Sequence, residues 1–316
     1  MHYKPVICDL VSVGEAMVLL TPDPPQPLAE ASALRVEVAG AEANVACQLA
    51  RLGRSTAFVS RVGNDPFGVV IRERLAGQGV RCLVETDPSR RTGVFFKDPT
   101  ADGTRVHYYR DGSAASGMDA GVVRTLPEGR VVHLTGVTAA LSGTCAELVR
   151  TAVMERPFGR EAIVSFDVNH RAGLWPAEQA APVLARLADA ADLVFVGLDE
   201  ATRLWGATTP EDVRALLSRA GTVIVKDGPV TATSLGDAGR VEVAAPVVDV
   251  VEPVGAGDAF AAGYLFGLLH GVPEALRLGL GHQAAAAALG SAGDLGVLPP
   301  ADELVRRAER HLEVVS

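Results

Sequence analysis

The alternation of strand-like and helix-like segments predicts an α/β fold, in which a mainly parallel central sheet lies between two layers of helices as an αβα sandwich. The 316-residue chain is 48% hydrophobic but only 5% aromatic, a composition that suits a large aliphatic core. No linker or internal repeat divides the sequence. We therefore expect a single domain over residues 1–316, with a small β-sheet lid built from segments that break the alternation.

The core strands are apolar runs followed by helical patterns. We predict them at 10–13, 56–62, 131–134, 162–167, 193–196 and 222–226. Helices with apolar residues three and four positions apart are predicted at 42–52, 66–78, 143–154, 177–190, 209–220 and 280–289. Several of them open with proline or a capping threonine. This order places successive strands in parallel.

Four strand-like segments lack a following helix, and we assign them to the lid. They lie at 34–38, 80–85, 92–98 and 104–110, so the lid is expected to come from about 33–39 and 80–111. Strand alternation puts Tyr108 and Arg110 on one face and Tyr109 on the other. That pair suits a polyhydroxylated or anionic ligand, although a solvated arginine and two packing tyrosines fit equally well. Exposed lid strands also lead us to expect a homodimer or higher homo-oligomer formed through the lid.

The charge balance excludes some partners. A net charge of −9 and a pI near 5.3 argue against nucleic acid or an acidic membrane surface. The four cysteines lack metal-ligand spacing, and neither a secretory signal nor an apolar run of membrane-spanning length is visible. We expect a cytoplasmic protein that acts on a small molecule.

One segment carries recognisable chemistry, the sequence Gly255-Ala256-Gly257-Asp258 at the mouth of a long apolar helix. Unpaired N–H groups and the positive end of the helix dipole make such a helix start an anion site. An acid beside a bound anion is well placed only if it takes a proton from a group attacking that anion, as phosphoryl transfer to an alcohol requires. The alternative is a glycine-rich turn in which Asp258 is an ordinary N-cap.

Several separated motifs, taken together, resemble those of the ribokinase-like (PfkB) carbohydrate kinases from about Asp9 to Leu298. They are AGAEANVA at 39–46, DVNHR at 167–171, VKDG at 225–228 and GAGDAF at 255–260. Within that family the sequence is most similar to the 2-keto-3-deoxygluconate kinases, through YYR at 108–110, SAAS at 113–116 and HLTG at 133–136.

The resemblance implies a ribokinase-like fold, ATP and Mg2+ as cofactors, and a sugar or sugar-acid substrate. Asp258 would be the general base, and the amides of Gly255, Ala256 and Gly257 would stabilise the transferred phosphoryl group. The substrate-binding residues would be Gly40, Asn44, Phe95, Tyr108, Arg110, Val137, Arg171, Asp258 and Asp294. Arg110 and Arg171 would clamp a carboxylate. For Asn44 a helix-capping role, and for Asp294 an exposed loop, remain alternatives.

The resemblance also implies residues that bind the nucleotide and its metal ion. Lys226 and Gly228 would lie along the nucleotide channel together with Gly255 and Gly257, although Lys226 also fits a strand-end residue that reaches solvent. Glu200 and Glu252 are the candidate metal-binding acids.

The usual asparagine of the Asn-x-x-Glu motif is Gly197 here, and Pro253 interrupts the segment before GAGD. Phe95 replaces a tyrosine often found in the lid of keto-deoxygluconate kinases. The departures keep two alternatives open, a kinase for a neutral sugar such as fructose or ribose and a catalytically weak sugar-binding protein. A dinucleotide-dependent oxidoreductase is disfavoured, because no GxGxxG follows the first strand.

Overall fold

The computed structural model describes residues 7–100, 103–159, 161–252, 254–291, 293 and 295–315. Its strands are β1 Cys8–Val13, β2 Met17–Pro22, β3 Leu34–Ala39, β4 Thr56–Gly63, β5 Arg81–Asp87, β6 Val94–Thr100, β7 Gly103–Tyr109, β8 Gly129–Thr135, β9 Ile163–Asp167, β10 Leu193–Gly197, β11 Thr222–Asp227, β12 Thr231–Gly236 and β13 Gly239–Ala244. Its α-helices are α1 Ala41–Arg51, α2 Pro66–Gly77, α3 Ala120–Val123, α4 Gly136–Ala140, α5 Gly143–Met154, α6 Ala177–Asp189, α7 Leu198–Trp205, α8 Pro210–Leu216, α9 Ala256–His270, α10 Glu274–Leu289 and α11 Ala301–Val315.

The predicted α/β architecture is confirmed. A nine-stranded sheet runs in the order β13-β12-β11-β10-β9-β8-β1-β4-β5, and its strands from β11 to β5 pair in parallel. Only the β11–β12–β13 end of this sheet is antiparallel. Apolar side chains pack on both faces, in two separate core clusters. The carboxyl ends of the parallel strands therefore open toward one edge of the sandwich, where ligands of such folds bind.

The small sheet has the order β3-β2-β6-β7, which corrects one predicted strand. We expected 80–85 to belong to the lid because no helix follows it. Instead β5 pairs in parallel with β4, with Ala57 opposite Arg81, at the edge of the large sheet. The helix that makes this parallel crossover is α2, which precedes β5. The place left in the lid is taken by β2, which sequence analysis missed because it follows β1 after only three residues.

Helix α9 is held closely against α10. A Cβ added at Gly263 would lie 2.4 Å from the carbonyl oxygen of Leu280, and one at Gly267 would lie 2.9 Å from the side chain of the same leucine. These glycines let the two helix backbones approach each other, so the position of α9 depends on the absence of their side chains. Most residues of α9 are buried, including Asp258. Within the described part of the chain, no helix is both long and apolar enough to span a membrane.

Candidate active site

Two recesses meet where the large sheet, the small sheet and the start of α9 come together. The lid cavity has a volume of about 500 Å³ and is lined from the small sheet by Phe95, Tyr108 and Arg110. The helix recess has a volume of about 430 Å³ and is lined by Asp167, Glu200, Lys226 and Gly257. Residues that line both include Asn169, Arg171, Gly255 and Asp258. A group passing from one recess to the other passes these residues.

Asp258 is buried at the junction, with 8% of its surface exposed. Its Oδ2 accepts a hydrogen bond from Nδ2 of Asn44 at 2.8 Å. Burial raises the pKa of Asp258 to about 7, while the Asn44 hydrogen bond and the positive charge of Arg171 act in the opposite direction. An acid with this pKa exists in both protonation states near neutral pH, as a general base requires.

The start of α9 has the backbone geometry that the predicted anion site requires. Gly255 adopts a left-handed conformation, with φ of 84°, that glycine tolerates without steric cost. The N–H of Ala259 donates to the carbonyl of Gly255 at 2.9 Å, so the preceding N–H groups of Ala256 and Gly257 lie in the unpaired first turn. They are the donors expected for a phosphoryl group.

Lys226 reaches this helix start from the end of β11. Its Nζ lies 3.2 Å from Oδ2 of Asp167, and a Cβ added at Gly257 would be 3.5 Å from the same Nζ. An ammonium here lies beside the anion site and supports a phosphate-binding role. Gly228, with φ of 48°, lies in the turn between β11 and β12.

The two candidate metal-binding acids are engaged differently. Glu200 accepts hydrogen bonds from the backbone N–H groups of His170 and Gly197, and burial, followed by the nearby Asp167, raises its pKa to about 7. Glu252 forms an ion pair with Lys97 of β6, with Nζ and Oε2 2.5 Å apart. The structure therefore links Glu252 to the small sheet.

Carboxylates line the helix recess without forming a metal cage. Asp167, Asp199 and Glu200 contribute to its wall, but no three acids, histidines or cysteines of the described residues are grouped to hold an ion. This donor set suits Mg2+, which keeps several waters and binds through few carboxylates together with phosphate oxygens.

The lid cavity has one aromatic wall. Phe95 stacks on Tyr108 with ring centroids 5.4 Å apart, and Val137 lines the cavity near the start of α4. Gly40 also lines it, but a Cβ at that position would lie 2.2 Å from the carbonyl oxygen of Glu15. The close approach that requires glycine at position 40 is thus to the protein's own backbone.

Comparison with known proteins places this site in a family. The pattern described as pfkB family carbohydrate kinase matches residues 8–300. The chain belongs to this family of kinases. It is 33% identical to a 2-dehydro-3-deoxygluconokinase of Bacillus subtilis (strain 168), over 94% of each chain.

Two solved structures show the same fold. A PfkB protein from Polaromonas sp. JS666 has a TM-score of 0.82 and 36% identity, covering 94% of this chain and 99% of its own. An uncharacterized sugar kinase from Pyrococcus horikoshii, solved in complex with ATP, has a TM-score of 0.80 and 25% identity, covering 96% and 99%.

The two arginines of this kinase differ from the expected carboxylate clamp. Arg110, just beyond β7, is 8% exposed, and its Nε donates to Oε2 of Glu15 at 2.8 Å. Its charge is balanced inside the protein. Arg171 is exposed in the loop after β9 and forms no ion pair with any described residue. The clamp stays a prediction: both arginines line the lid cavity, but Arg110 is already paired with Glu15, whereas no ion pair of Arg171 is found among the described residues.

Other sequence-based interpretations had different outcomes. Tyr108 and Arg110 both line the lid cavity whereas Tyr109 is 65% exposed, as alternation predicted. Asn44, expected to bind substrate hydroxyls, lines the cavity but donates to Asp258. Asp294 lies outside the described residues.

Sequence analysis missed Asn169, which lies between the two recesses. It adopts a left-handed φ of 39° and is 7% exposed, with its amide oxygen buried and without a hydrogen-bond partner among the described residues. The available signal was its place in DVNHR directly after a core strand, since asparagine tolerates this conformation better than most residues.

Proposed function

We propose that this pfkB-family kinase transfers the γ-phosphoryl group of ATP to a primary hydroxyl of a sugar acid, with 2-keto-3-deoxygluconate, also called 2-dehydro-3-deoxygluconate, as the substrate. The observation that carries the proposal is the position of Asp258, a buried carboxyl group with a pKa near 7 at the start of α9 and between two recesses. The lid cavity would hold the sugar and the helix recess the phosphates.

The residues of this chain divide the work. Asp258 accepts the proton of the attacking hydroxyl, and Asn44 holds the Asp258 carboxylate in place through their 2.8 Å hydrogen bond. The N–H groups at the start of α9 stabilise the charge on the transferred phosphoryl group, and Lys226 adds a positive charge beside them. Glu200 or Asp199 would hold Mg2+ through water, and the ion would supply positive charge to the phosphates.

The sugar-acid assignment rests on Arg171. An exposed guanidinium without an ion-pair partner among the described residues, at the wall of a cavity of about 500 Å³, is a ready site for a carboxylate. Tyr108, which lines the same cavity, can hydrogen-bond sugar hydroxyls. The Bacillus relative, named for a 2-dehydro-3-deoxygluconate substrate, supports the same assignment.

A neutral sugar is the second candidate, and one observation favours it. Glu15 already balances the charge of Arg110, so the cavity is less positive than the sequence implied. A ketohexose such as fructose would leave only Arg171 unmatched, and that side chain can remain in water.

A panel assay of ADP release decides between the candidates. Purified protein is supplied with ATP, Mg2+ and, in turn, 2-keto-3-deoxygluconate, 2-keto-3-deoxygalactonate, gluconate, fructose and ribose. We expect kcat/KM to be highest for a 2-keto-3-deoxy acid, by at least about tenfold. A preference for fructose or ribose contradicts the acid assignment, and inactivity on every sugar despite sugar binding indicates a binding protein.

We also propose that two chains associate through the small sheet. Its edge strands are β3 and β7, and β7 presents the exposed Tyr109. Light scattering measures the molar mass directly, and a monomer at micromolar concentration contradicts the proposal.

A further inference from the structure

Glu15 lies where strands of the small sheet meet the core. It belongs to the short loop between β1 and β2, two residues before β2 begins. Its backbone carbonyl oxygen lies so close to Gly40, the residue that follows β3, that an added Cβ would collide with it. Its carboxylate is so close to Gly93, which precedes β6, that an added Cβ would lie 2.8 Å from Oε1. Three of the four lid strands thus have their core-proximal ends packed on one residue.

The fourth strand is tied to the same carboxylate by polar contacts. Beyond the end of β7, Nε of Arg110 donates to Oε2 of Glu15 at 2.8 Å, and Nη2 approaches the same oxygen to 2.5 Å as an ion-pair contact. The hydroxyl of Ser113 donates to Oε1 at 2.5 Å. Each carboxylate oxygen therefore holds a different part of the segment leaving β7.

These contacts are buried. Glu15 is 2% exposed, Arg110 8% and Ser113 3%. Removing one member of a buried ion pair leaves the other charge without compensation, which is far more costly than losing a surface pair. The orientation of Arg110 at the cavity wall consequently depends on the Glu15 carboxylate.

We propose that Glu15 is a positioning residue for the kinase reaction, anchoring the ends of the small-sheet strands and holding Arg110 at the wall of the lid cavity. Glu15 acts through Arg110, so it sets how well the sugar is held and leaves the chemical step at Asp258 alone. The kinetic part of this inference rests on the proposed function, but the anchoring part does not.

Hydrogen exchange tests the anchoring part. Glu15→Gln removes the charge with little change in size, and Glu85→Gln serves as the matched control, because it breaks an ion pair with Arg61 in the large sheet. We expect faster amide exchange in β2, β6 and β7 of E15Q, with the central strands β1, β8 and β9 unchanged. E85Q should leave the small sheet as protected as in the parent. Unchanged exchange in the small sheet of E15Q, or equally faster exchange throughout the molecule, overturns the proposal.

A milder variant keeps the test decisive if E15Q does not fold. Ser113→Ala removes only the hydroxyl that donates to Oε1. Faster exchange confined to the small sheet is again the expected result, and protection equal to that of the parent is the result that rejects anchoring.

Kinetics test the positioning part, using whichever sugar the parent phosphorylates best. We expect E15Q to raise KM by about ten- to a hundredfold, as for loss of a charge-assisted contact, while kcat changes by less than about threefold. The double variant E15Q/R110M should have a KM within about threefold of R110M alone, because both changes remove the same contact. Effects that multiply, or a loss confined to kcat, overturn the positioning role. If the parent phosphorylates no sugar, the proposed function fails while the exchange experiment still judges Glu15.

Discussion

Two sets of polar groups in the site are held in contrasting ways. The first set, called here the core end, comes from core elements and is paired within the protein, Asn44 with Asp258 and Lys226 with Asp167. The second, called here the loop end, is Arg171, which is exposed in the loop after β9 and has no ion-pair partner among the described residues. The core end is organised before any ligand binds, whereas the loop end leaves a charge for the ligand to pair with.

This contrast suggests that catalysis and the choice of sugar depend on different residues. In the proposed reaction the preorganised groups at the core end would act on any correctly placed hydroxyl, because they need no rearrangement. Under the proposed function the loop end would discriminate among sugars, since an unpaired guanidinium favours a carboxylate over a neutral hydroxyl. Variants at the two ends should therefore fail in different ways.

The largest expected effect is at the core end. Asp258→Asn should lower kcat by about a hundredfold or more, because the general base is lost, while sugar binding is retained. Single-turnover phosphorylation and calorimetric binding measure the two properties separately. Activity near that of the parent would reduce Asp258 to a helix cap and remove the basis of the contrast.

A selective effect is expected at the loop end. Arg171→Met should lower kcat/KM for 2-keto-3-deoxygluconate by about ten- to a hundredfold, the cost of one charge-assisted partner. Residual use of fructose or ribose should change much less. Steady-state kinetics with both sugar types make the comparison, and a uniform loss would mean that Arg171 does not discriminate between them.

The pH dependence of kcat/KM tests the core end separately from the loop end. Catalysis needs deprotonated Asp258, so kcat/KM should fall about tenfold per pH unit below a pKa of about 7. The Asn44 hydrogen bond lowers that pKa, so Asn44→Leu should move the acid limb to higher pH. Thr138→Val, which removes a buried hydrogen bond to Glu42, is the control and should leave the limb in place. If the acid limb does not move in the Asn44 variant, a group other than Asp258 is responsible for it, and Glu200 is the first alternative.

The smallest expected effect concerns Mg2+. Glu200→Gln should raise the half-saturating Mg2+ concentration by a few-fold, because the ion is held mainly by phosphates and water. Glu252→Gln should leave it unchanged, since that carboxylate is paired with Lys97. Magnesium titrations at saturating ATP measure both. A response in the Glu252 variant alone would reverse the roles of the two acids.

Local pattern was sufficient for most core elements and for the start of α9. Core strands and helices were predicted from periodicity, which reflects burial on the two faces of the large sheet. The start of α9 was predicted from glycine and acid spacing, which local backbone geometry determines. The strand at 80–85 was misplaced because its pairing is fixed by the crossover helix before it, whereas its assignment to the lid depended only on the lack of a helix after it.

Local sequence patterns could not predict side-chain contacts between residues far apart in the chain. Asn44 and Asp258 are 214 positions apart, and Glu15 and Arg110 are 95 apart. Asn44 and Arg110 each suggested a ligand contact from the sequence, because the sequence does not show which side chain lies beside them in the fold. The structure supplies that partner in both cases, and this changes which charges remain for the substrate.

The close contact between α9 and α10 leaves no room for an added side chain at the glycines between them. A methyl group at Gly263 would collide with a main-chain oxygen of Leu280, so trimming the leucine side chain gives no relief. The strain would instead displace α9, the helix whose first turn carries Asp258, the proposed general base. A Gly263→Ala substitution, which adds a single methyl group, is therefore expected to lower kinase activity by changing the packing of the core. The change lies away from the proposed sugar and phosphate recesses.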